Sequence, residues 1–243
     1  MKSIYEDILK ASAKGKKLLA VLIDPDKMER SYVRSFVRLI SSSIATHIFV
    51  GGSEVDDQKT QALVAQIKTL IDLPVVLFPG EVSQITNDAD ALLFLSLISG
   101  RNPEYLIGKH IEAAAKLNGS NLEVIPTGYI LIENGKETSV QRVSKTMPMS
   151  RANIPLISYT AKAGELLGMK LIYLEAGSGA THPVNHEIIM EVKDKLQIPL
   201  IVGGGIKSKA ALKKTFDSGA DLVVIGTAFE NDSSFFNELK IPI

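Results

Sequence analysis

Short apolar runs alternate with longer amphipathic segments along almost the whole chain. Between most of the runs lie segments with the 3.6-residue period of a helix, such as "RSYVRSFVRLI" and "KAALKKTFDSG". This alternation predicts parallel strands covered by helices. Eight runs predict strands: "LLAVLI", "HIFVGG", "PVVLFPG", "ALLFLSL", "EVIPTGYILI", "LIYLEAG", "PLIVGGG" and "LVVIG".

Eight such units in 243 residues predict an α/β fold, a closed TIM (β/α)8 barrel, whose usual size is about 250 residues. We expect one domain covering residues 1–243. Two places break the rhythm. "EVSQITNDAD" is too short for a full crossover helix, and "ENGKETSVQRVSKTMPMSRANIP" is a long polar stretch typical of a functional loop. An open doubly wound sheet is the alternative, but it requires a topological switch point that eight similar units do not indicate.

Composition narrows the classes of function. The 27 basic residues balance the 27 acidic ones, so no overall field attracts the chain to nucleic acid or to an anionic membrane. The chain has no cysteine, which excludes disulfides, thiolate metal sites and cysteine nucleophiles and favours a reducing compartment. No apolar run approaches the length of a membrane span or a signal peptide core. We expect a soluble, cytoplasmic protein.

The last two predicted strands carry glycine clusters, in "GGGIKS" at 203–208 and "GADLVVIGTA" at 219–228. In a barrel of this kind the chemistry lies at the carboxyl ends of the strands, and the final two strands often bind phosphate. Glycine allows backbone N–H groups to approach an anion closely. The alternative is that these glycines only form tight turns. Their position on adjacent strands favours a phosphate site, but it does not specify a reaction.

Oxygen-bearing side chains follow the first two predicted strands. Asp24 and Asp26 stand in "DPDK", and Ser53 stands in "GGSEVDD". Carboxylates at such a position can hold Mg²⁺, which completes its shell with water and substrate phosphates. Taken alone, each residue could equally be a turn or helix-capping residue. Their place on neighbouring strand ends favours a metal site.

One carboxylate, Glu175, stands between an apolar strand and a run of small residues in "YLEAGSG". Burial after "LIYL" is expected to raise its pKa towards that of a general base, and the small residues leave room for a substrate. The alternative is a structural acid satisfied by hydrogen bonds or by a lysine such as Lys170 or Lys207.

Seven segments together resemble the geranylgeranylglyceryl phosphate synthase family, which includes the bacterial heptaprenylglyceryl phosphate synthases. In order they are "LIDPDK", "FVGGS", "SLISGRNPEYLIG", "GYILI", "YLEAGSG", "VGGGI" and "VVIGTA", and the resemblance runs from about Leu18 to about Phe229. "VGGGI" and "IGTA" are shared by many phosphate-binding barrels, whereas "YLEAGSG" with "DPDK", "VGGS" and "RNPEYLIG" is specific. The resemblance implies a modified barrel with one helix replaced by a short connection, which we place between Gly80 and Ala91.

The resemblance also implies a reaction, in which the C3 hydroxyl of sn-glycerol 1-phosphate attacks a polyprenyl diphosphate to form an ether and release diphosphate. It implies Mg²⁺ held by Asp24 and Ser53, Glu175 as the general base, and an apolar groove formed by "LLFLSLISG" and "PEYLIG". The implied substrate-binding residues are Tyr129, Tyr173, Leu174, Glu175, Ala176, Gly177, Ser178, Gly179, Gly204, Gly205, Gly226 and Thr227.

The preferred donor implied by the resemblance is geranylgeranyl diphosphate, with heptaprenyl diphosphate as the alternative. Ile23 and "GRNPEYLIG" are similar to the branch that uses the shorter donor, and Ile23 stands where some relatives carry a lysine. The family also implies a homo-oligomer, a dimer or a hexamer, and peripheral membrane contact during product release. Two other functions stay open from the residues alone: a phosphosugar isomerase or lyase, and a non-catalytic barrel that binds a phosphorylated ligand.

Overall fold

A computed structural model of the protein describes residues 3–52, 55 and 58–240. Eight parallel strands form a closed barrel in chain order, with β8 pairing β1. The predicted barrel is confirmed. The strands are β1 (Leu18–Ile23), β2 (His47–Val50), β3 (Val75–Leu77), β4 (Ala91–Leu97), β5 (Glu123–Leu131), β6 (Leu171–Glu175), β7 (Leu200–Gly203) and β8 (Leu222–Ile225).

Helices surround the barrel and connect most of its strands. In the described part of the chain they are α1 (Ile4–Ala13), α2 (Val33–Ser41), α3 (Lys59–Lys68), α4 (Lys109–Leu117), α5 (Ser139–Ser144), α6 (Ile154–Leu166), α7 (His186–Lys195), α8 (Lys209–Asp217), α9 (Thr227–Asn231) and α10 (Phe235–Glu238). A π-helical turn, Glu104–Gly108, leads directly into α4. None of the helices described here combines the length and hydropathy that crossing a bilayer requires.

The connection between β3 and β4 departs from the regular pattern. Residues 78–90 hold only a short 3-10 helix, Val82–Gln84, where a crossover helix would otherwise cover the barrel. The predicted short connection is therefore confirmed. The long polar stretch after β5 contains α5, whose first turn is capped by the Thr138 hydroxyl accepting the N–H of Gln141.

Alternate residues of each strand face opposite sides of the barrel wall, as the two-residue period of a strand requires. One set packs against the helices, and the other set packs inside the barrel. On β6 the inner set includes Leu171 and Tyr173, and Glu175 follows at the next inner position. The same period on β5 directs Tyr129 inwards at the same level, where it pairs with Tyr173 in register.

The amino-terminal end of the barrel is closed by a buried polar network around Asp221, which is 4% exposed. Its carboxylate accepts hydrogen bonds from the Ser12 hydroxyl at 2.8 Å, the Leu200 N–H at 2.8 Å and the Lys193 Nζ at 2.7 Å. These contacts join α1, β7 and α7 to the start of β8. The network therefore lies opposite the carboxyl ends of the strands, which is the end where barrels of this kind bind their ligands.

Candidate active site

A cavity of about 660 Å³ opens at the carboxyl ends of the strands. Asp24, Glu175 and the glycine-rich ends of β7 and β8 surround its polar part. From there the cavity continues sideways along the β3–β4 connection and α4, where its walls are mostly apolar. A binding site with one polar end and one apolar end results.

Glu175 lies on the wall of this cavity, although only 6% of its surface is exposed. The N–H of Gly177 donates a hydrogen bond to its Oε1, and the Tyr173 hydroxyl also hydrogen-bonds to the carboxylate. Burial raises the pKa of Glu175 to about 7, while these two hydrogen bonds oppose the rise. A carboxylate with this pKa is present in useful amounts as a base near neutral pH and returns its proton readily.

The lysine alternatives for Glu175 are not realised in the described residues. Lys170 lies over the ring of Tyr5, 5.0 Å from its centroid, and Glu175 forms no ion pair there. The hydrogen-bonded alternative is met in part, since Gly177 and Tyr173 satisfy the carboxylate. Its position on the cavity wall nevertheless leaves it next to any bound ligand.

Three aromatic rings form the floor beneath Glu175. Tyr173 stacks on Phe78 at 5.2 Å between ring centroids and meets Tyr129 edge to face at 5.3 Å. Burial, with the nearby Glu175 charge adding to it, raises the pKa of both tyrosine hydroxyls well above the ordinary value. Both hydroxyls therefore stay protonated at neutral pH and can donate hydrogen bonds.

Three turns rich in small residues surround one point of the rim, and we call them the glycine cradle: residues 177–179, 204–205 and 226–227. Gly177 and Gly204 have φ angles of +102° and +88°, a conformation that residues with a side chain rarely adopt. The hydroxyls of Ser178 and Thr227 are 2.9 Å apart and join the turn after β6 to the start of α9. The structure therefore brings these predicted binding residues together.

The position of the Glu175 carboxylate requires a glycine at residue 204, because a side chain there would collide with it. A Cβ at this position would lie 2.6 Å from both Glu175 Oε1 and the Gly177 nitrogen. The neighbouring Gly203 is equally constrained, because a Cβ there would lie 2.4 Å from the Tyr173 hydroxyl. The glycines at the end of β7 thus make room for the buried acid as well as for a ligand.

Leu174 and Ala176 differ from the other predicted binding residues. Both are fully buried and belong to the cluster that packs between the strands and the helices, so their side chains do not line the cavity. The alternation of side chains along β6 is the reason, since they stand one residue away from Tyr173 and Glu175.

Asp24 follows β1 and lines the same cavity as the cradle. Its Oδ1 accepts the N–H of Asp26 at 3.1 Å, and its Oδ2 lies 3.2 Å from the Lys27 Nζ. The same ammonium is 3.2 Å from Glu230 Oε2, on α9. Ser53, the other predicted metal ligand, lies outside the described residues. Lys27 and Glu230 were not among the predicted site residues. Lys27 is part of "DPDK", whereas no motif in the sequence indicated Glu230.

The donor set around Asp24 fits a hard divalent ion. No group of three or more His, Cys, Asp or Glu side chains capable of holding a metal occurs among residues 3–52, 55 and 58–240. One or two protein carboxylates are usual for Mg²⁺ when substrate phosphates and water supply its other ligands. An ammonium already shared between Asp24 and Glu230 shows that a positive charge is favoured here.

The apolar part of the cavity occupies the space left by the absent crossover helix. As predicted, "LLFLSLISG" and "PEYLIG" contribute to it, but walls from the β3–β4 connection and α5 were missed because neither segment has a clear apolar period. The lining side chains include Phe78, Val82, Ile85, Leu92, Phe94, Tyr105, Ala113, Val140 and Val143.

Comparison with known proteins assigns the chain to a family. Residues 12–241 match the model of the PcrB family. The chain belongs to the PcrB family. Two similar members of known name are both called geranylgeranylglyceryl phosphate synthase. The one from Flavobacterium johnsoniae is 57% identical over 235 residues, which are 97% of each chain. The one from Zunongwangia profunda is 55% identical over 231 residues, covering 95% of this chain and 98% of that relative.

The fold of this PcrB family chain is also similar to that of a solved structure. It is (S)-3-O-geranylgeranylglyceryl phosphate synthase from Thermoplasma acidophilum in complex with its substrate sn-glycerol-1-phosphate. The TM-score is 0.92 at 33% sequence identity, over 98% of this chain and 96% of the other. The family resemblance inferred from the motifs is confirmed.

We expect Gly204→Ala to destabilise the fold far more than Gly168→Ala. Both glycines have φ near +90°, so both substitutions introduce similar backbone strain of about 1 kcal/mol. Only at Gly204 does the added methyl also collide with Glu175 and Gly177; around Gly168 nothing lies within 4 Å. Urea unfolding of the two variants measures the difference, which we expect to exceed about 1 kcal/mol. Equal free energies of unfolding would show that Glu175 does not occupy this position.

Proposed function

We propose that the protein is an ether-forming prenyltransferase that joins sn-glycerol 1-phosphate to geranylgeranyl diphosphate. The observation that carries the proposal is the position of Glu175, a buried acid with a pKa of about 7, between the glycine cradle and an apolar groove. A reaction between a phosphorylated polar substrate and a long apolar substrate requires a polar and an apolar binding surface next to the same base. The names of the similar PcrB family members support the same reaction.

In the proposed reaction the C3 hydroxyl oxygen of glycerol phosphate forms a bond to C1 of the prenyl donor. The bond between C1 and the diphosphate oxygen breaks, diphosphate leaves with the electron pair, and the hydroxyl proton passes to Glu175. A general base contributes typically 10²- to 10⁴-fold to such a step. Tyr173 supports it by holding the carboxylate through its hydroxyl.

In the proposed reaction the polar end of the cavity binds the glycerol phosphate and the apolar end binds the prenyl chain. The cradle offers backbone N–H groups and the Ser178 and Thr227 hydroxyls to a phosphate, and Tyr129 adds a protonated hydroxyl beside Tyr173. The apolar walls bury the isoprenoid chain and exclude water from the reacting carbon. Competition from hydrolysis of the donor is reduced as a result.

Mg²⁺ is the cofactor that we propose for the diphosphate. Asp24 would hold it, together with Ser53 as the resemblance implies. When bound, the ion would neutralise negative charge that develops on the leaving diphosphate. Glu230 adds a second carboxylate close to the same position through the shared Lys27.

Geranylgeranyl diphosphate is the preferred donor because the names of the similar relatives contain the geranylgeranyl group. Heptaprenyl diphosphate is the alternative. A phosphosugar isomerase or lyase would need polar contacts where this cavity has apolar walls. A barrel that only binds a phosphorylated ligand does not require a buried acid beside the cradle. The homo-oligomer, the peripheral membrane contact and the cytoplasmic location stay predictions.

Label from sn-glycerol 1-phosphate is expected to move into an organic extract when the purified protein is supplied with Mg²⁺ and a prenyl diphosphate. A panel of donors from geranyl to heptaprenyl diphosphate measures the preference, and the geranylgeranyl donor should give the highest kcat/KM. A higher value for the heptaprenyl donor would replace the preferred donor. No transfer by folded protein with any donor would disprove the prenyltransferase.

Glu175→Gln is expected to lower turnover by at least about 100-fold while sn-glycerol 1-phosphate still binds, because the amide cannot accept the hydroxyl proton. In the wild type kcat/KM should rise with pH and level off above about 7, where the carboxylate of raised pKa becomes ionised. Calorimetric titration and pH-rate profiles measure both effects. Glu187→Gln, at an exposed acid of α7, is the control and should change neither. Wild-type turnover in the Glu175→Gln variant would remove Glu175 as the base.

Asp24→Asn is expected to raise the Mg²⁺ concentration needed for half-maximal activity by roughly tenfold or more, because a neutral amide is a weaker ligand for a hard cation. Mn²⁺ binding followed by electron paramagnetic resonance provides a second readout. Asp217→Asn removes a carboxylate from an exposed ion pair with Lys213 and should leave both unchanged. If added metal affects neither the wild type nor the Asp24 variant, the metal site is wrong.

A further inference from the structure

The glycine cradle itself contains no charged side chain that could balance the charge of a bound phosphate. The groups that surround the bound phosphate in the proposed function are backbone N–H groups and hydroxyls, all of them neutral, and the nearby Glu175 brings negative charge when ionised. A phosphate monoester carries a charge of nearly −2 at neutral pH. A cationic donor forms a hydrogen bond to such a group that is roughly twice as strong as a neutral donor does.

The loop after β5 is attached to the cradle at several points. Asn134, only 1% exposed, donates from its side-chain amide to the Ala176 carbonyl, and its own carbonyl accepts the His182 N–H at 3.0 Å. Thr138 packs so closely on Gly177 that a Cβ there would lie 2.4 Å from the threonine methyl. These contacts hold residues 134–138 against the turn after β6.

This attachment places Lys136 at the cradle. Its N–H donates to the Asn134 side-chain carbonyl at 3.1 Å, and Gly135, with a φ of +91°, allows the tight turn between them. A methyl group replacing the Gly179 hydrogen would lie 3.2 Å from the Lys136 Nζ. The ammonium therefore lies directly beside a residue of the cradle.

Two other lysines, which line the cavity, are less suited to this task because each is already paired with a carboxylate. Lys27 is shared between Asp24 and Glu230, and Lys109 is paired with Glu81. The Lys136 ammonium, in contrast, forms no ion pair with a carboxylate in the described part of the chain. Lys207, in the loop after β7, lines the cavity and is the competing candidate.

We infer that Lys136 binds the phosphate of the acceptor substrate, as a cation supplied from the β5 loop to the glycine cradle. The inference rests on the proposed function for the identity of the acceptor. Lys136 acts as a binding residue that sets affinity for a phosphorylated acceptor over an uncharged one, and Asn134 is the residue that positions its backbone.

Calorimetric titration of Lys136→Met with sn-glycerol 1-phosphate tests the inference. We expect the affinity to fall by about 10- to 100-fold, as loss of a charged hydrogen bond predicts, and Lys136→Arg to keep most of it. The salt dependence of binding should decrease in the methionine variant, since one charge contact is absent. KM for the acceptor should rise while kcat changes little, because the contact is present in both ground and transition states.

Lys207→Met and Lys213→Met are the comparison variants. Lys213 is an exposed residue of α8 and should not affect binding. Unchanged affinity in Lys136→Met, or a loss confined to Lys207→Met, would overturn the inference. Urea unfolding of each variant checks that the fold is intact.

Titration of the same variants with inorganic phosphate separates this inference from the proposed function. If the wild type binds phosphate but not sn-glycerol 1-phosphate, the proposed acceptor is wrong, and the phosphate affinities still decide the role of Lys136. If the wild type binds neither, the inference is overturned together with the proposed acceptor.

Discussion

Burial of one carboxylate at the barrel mouth constrains the surrounding structure more than any other feature. Glu175 is at the end of a strand whose neighbours are apolar, and a buried carboxylate must be hydrogen-bonded or neutralised. Gly177 and Tyr173 supply the hydrogen bonds, and Gly203 and Gly204 leave the space that these groups require. The acid, its two donors and the glycines of the next strand therefore form one unit in which no member can change independently.

The absent crossover helix has the second large effect. In a regular barrel a helix between β3 and β4 would cover the wall beside Phe78 and Ile85. Here residues 78–90 contain a single short 3-10 helix, and the exposed flank becomes the apolar wall of the cavity. One irregularity in the repeat thus gives the barrel an apolar binding surface next to the usual anion site at β7 and β8. Substrates of opposite polarity can meet at Glu175 because these two surfaces adjoin there.

Charged side chains lie close to the glycine cradle at the polar end of the cavity. Asp24 and Glu230 share the Lys27 ammonium, and Glu230 belongs to α9, the helix that begins at Thr227 of the cradle. Proximity of a bound phosphate to these carboxylates would be unfavourable without a cation between them. The Lys27 ammonium is such a cation, and a divalent ion fits the same position between Asp24 and Glu230.

Sequence patterns alone predicted the barrel, the short connection, the acid and the glycine turns, because strand period, segment length and residue type are local properties. They also indicated the family, because "YLEAGSG" and "DPDK" are specific in combination. Contacts between side chains of distant segments became known only from the folded barrel. The orientation of Leu174 away from the cavity, the sharing of Lys27 with Glu230, and the approach of Lys136 to Gly179 all depend on contacts between distant segments. No periodicity within a segment encodes such contacts, since they arise from the closure of the barrel and the packing of its loops.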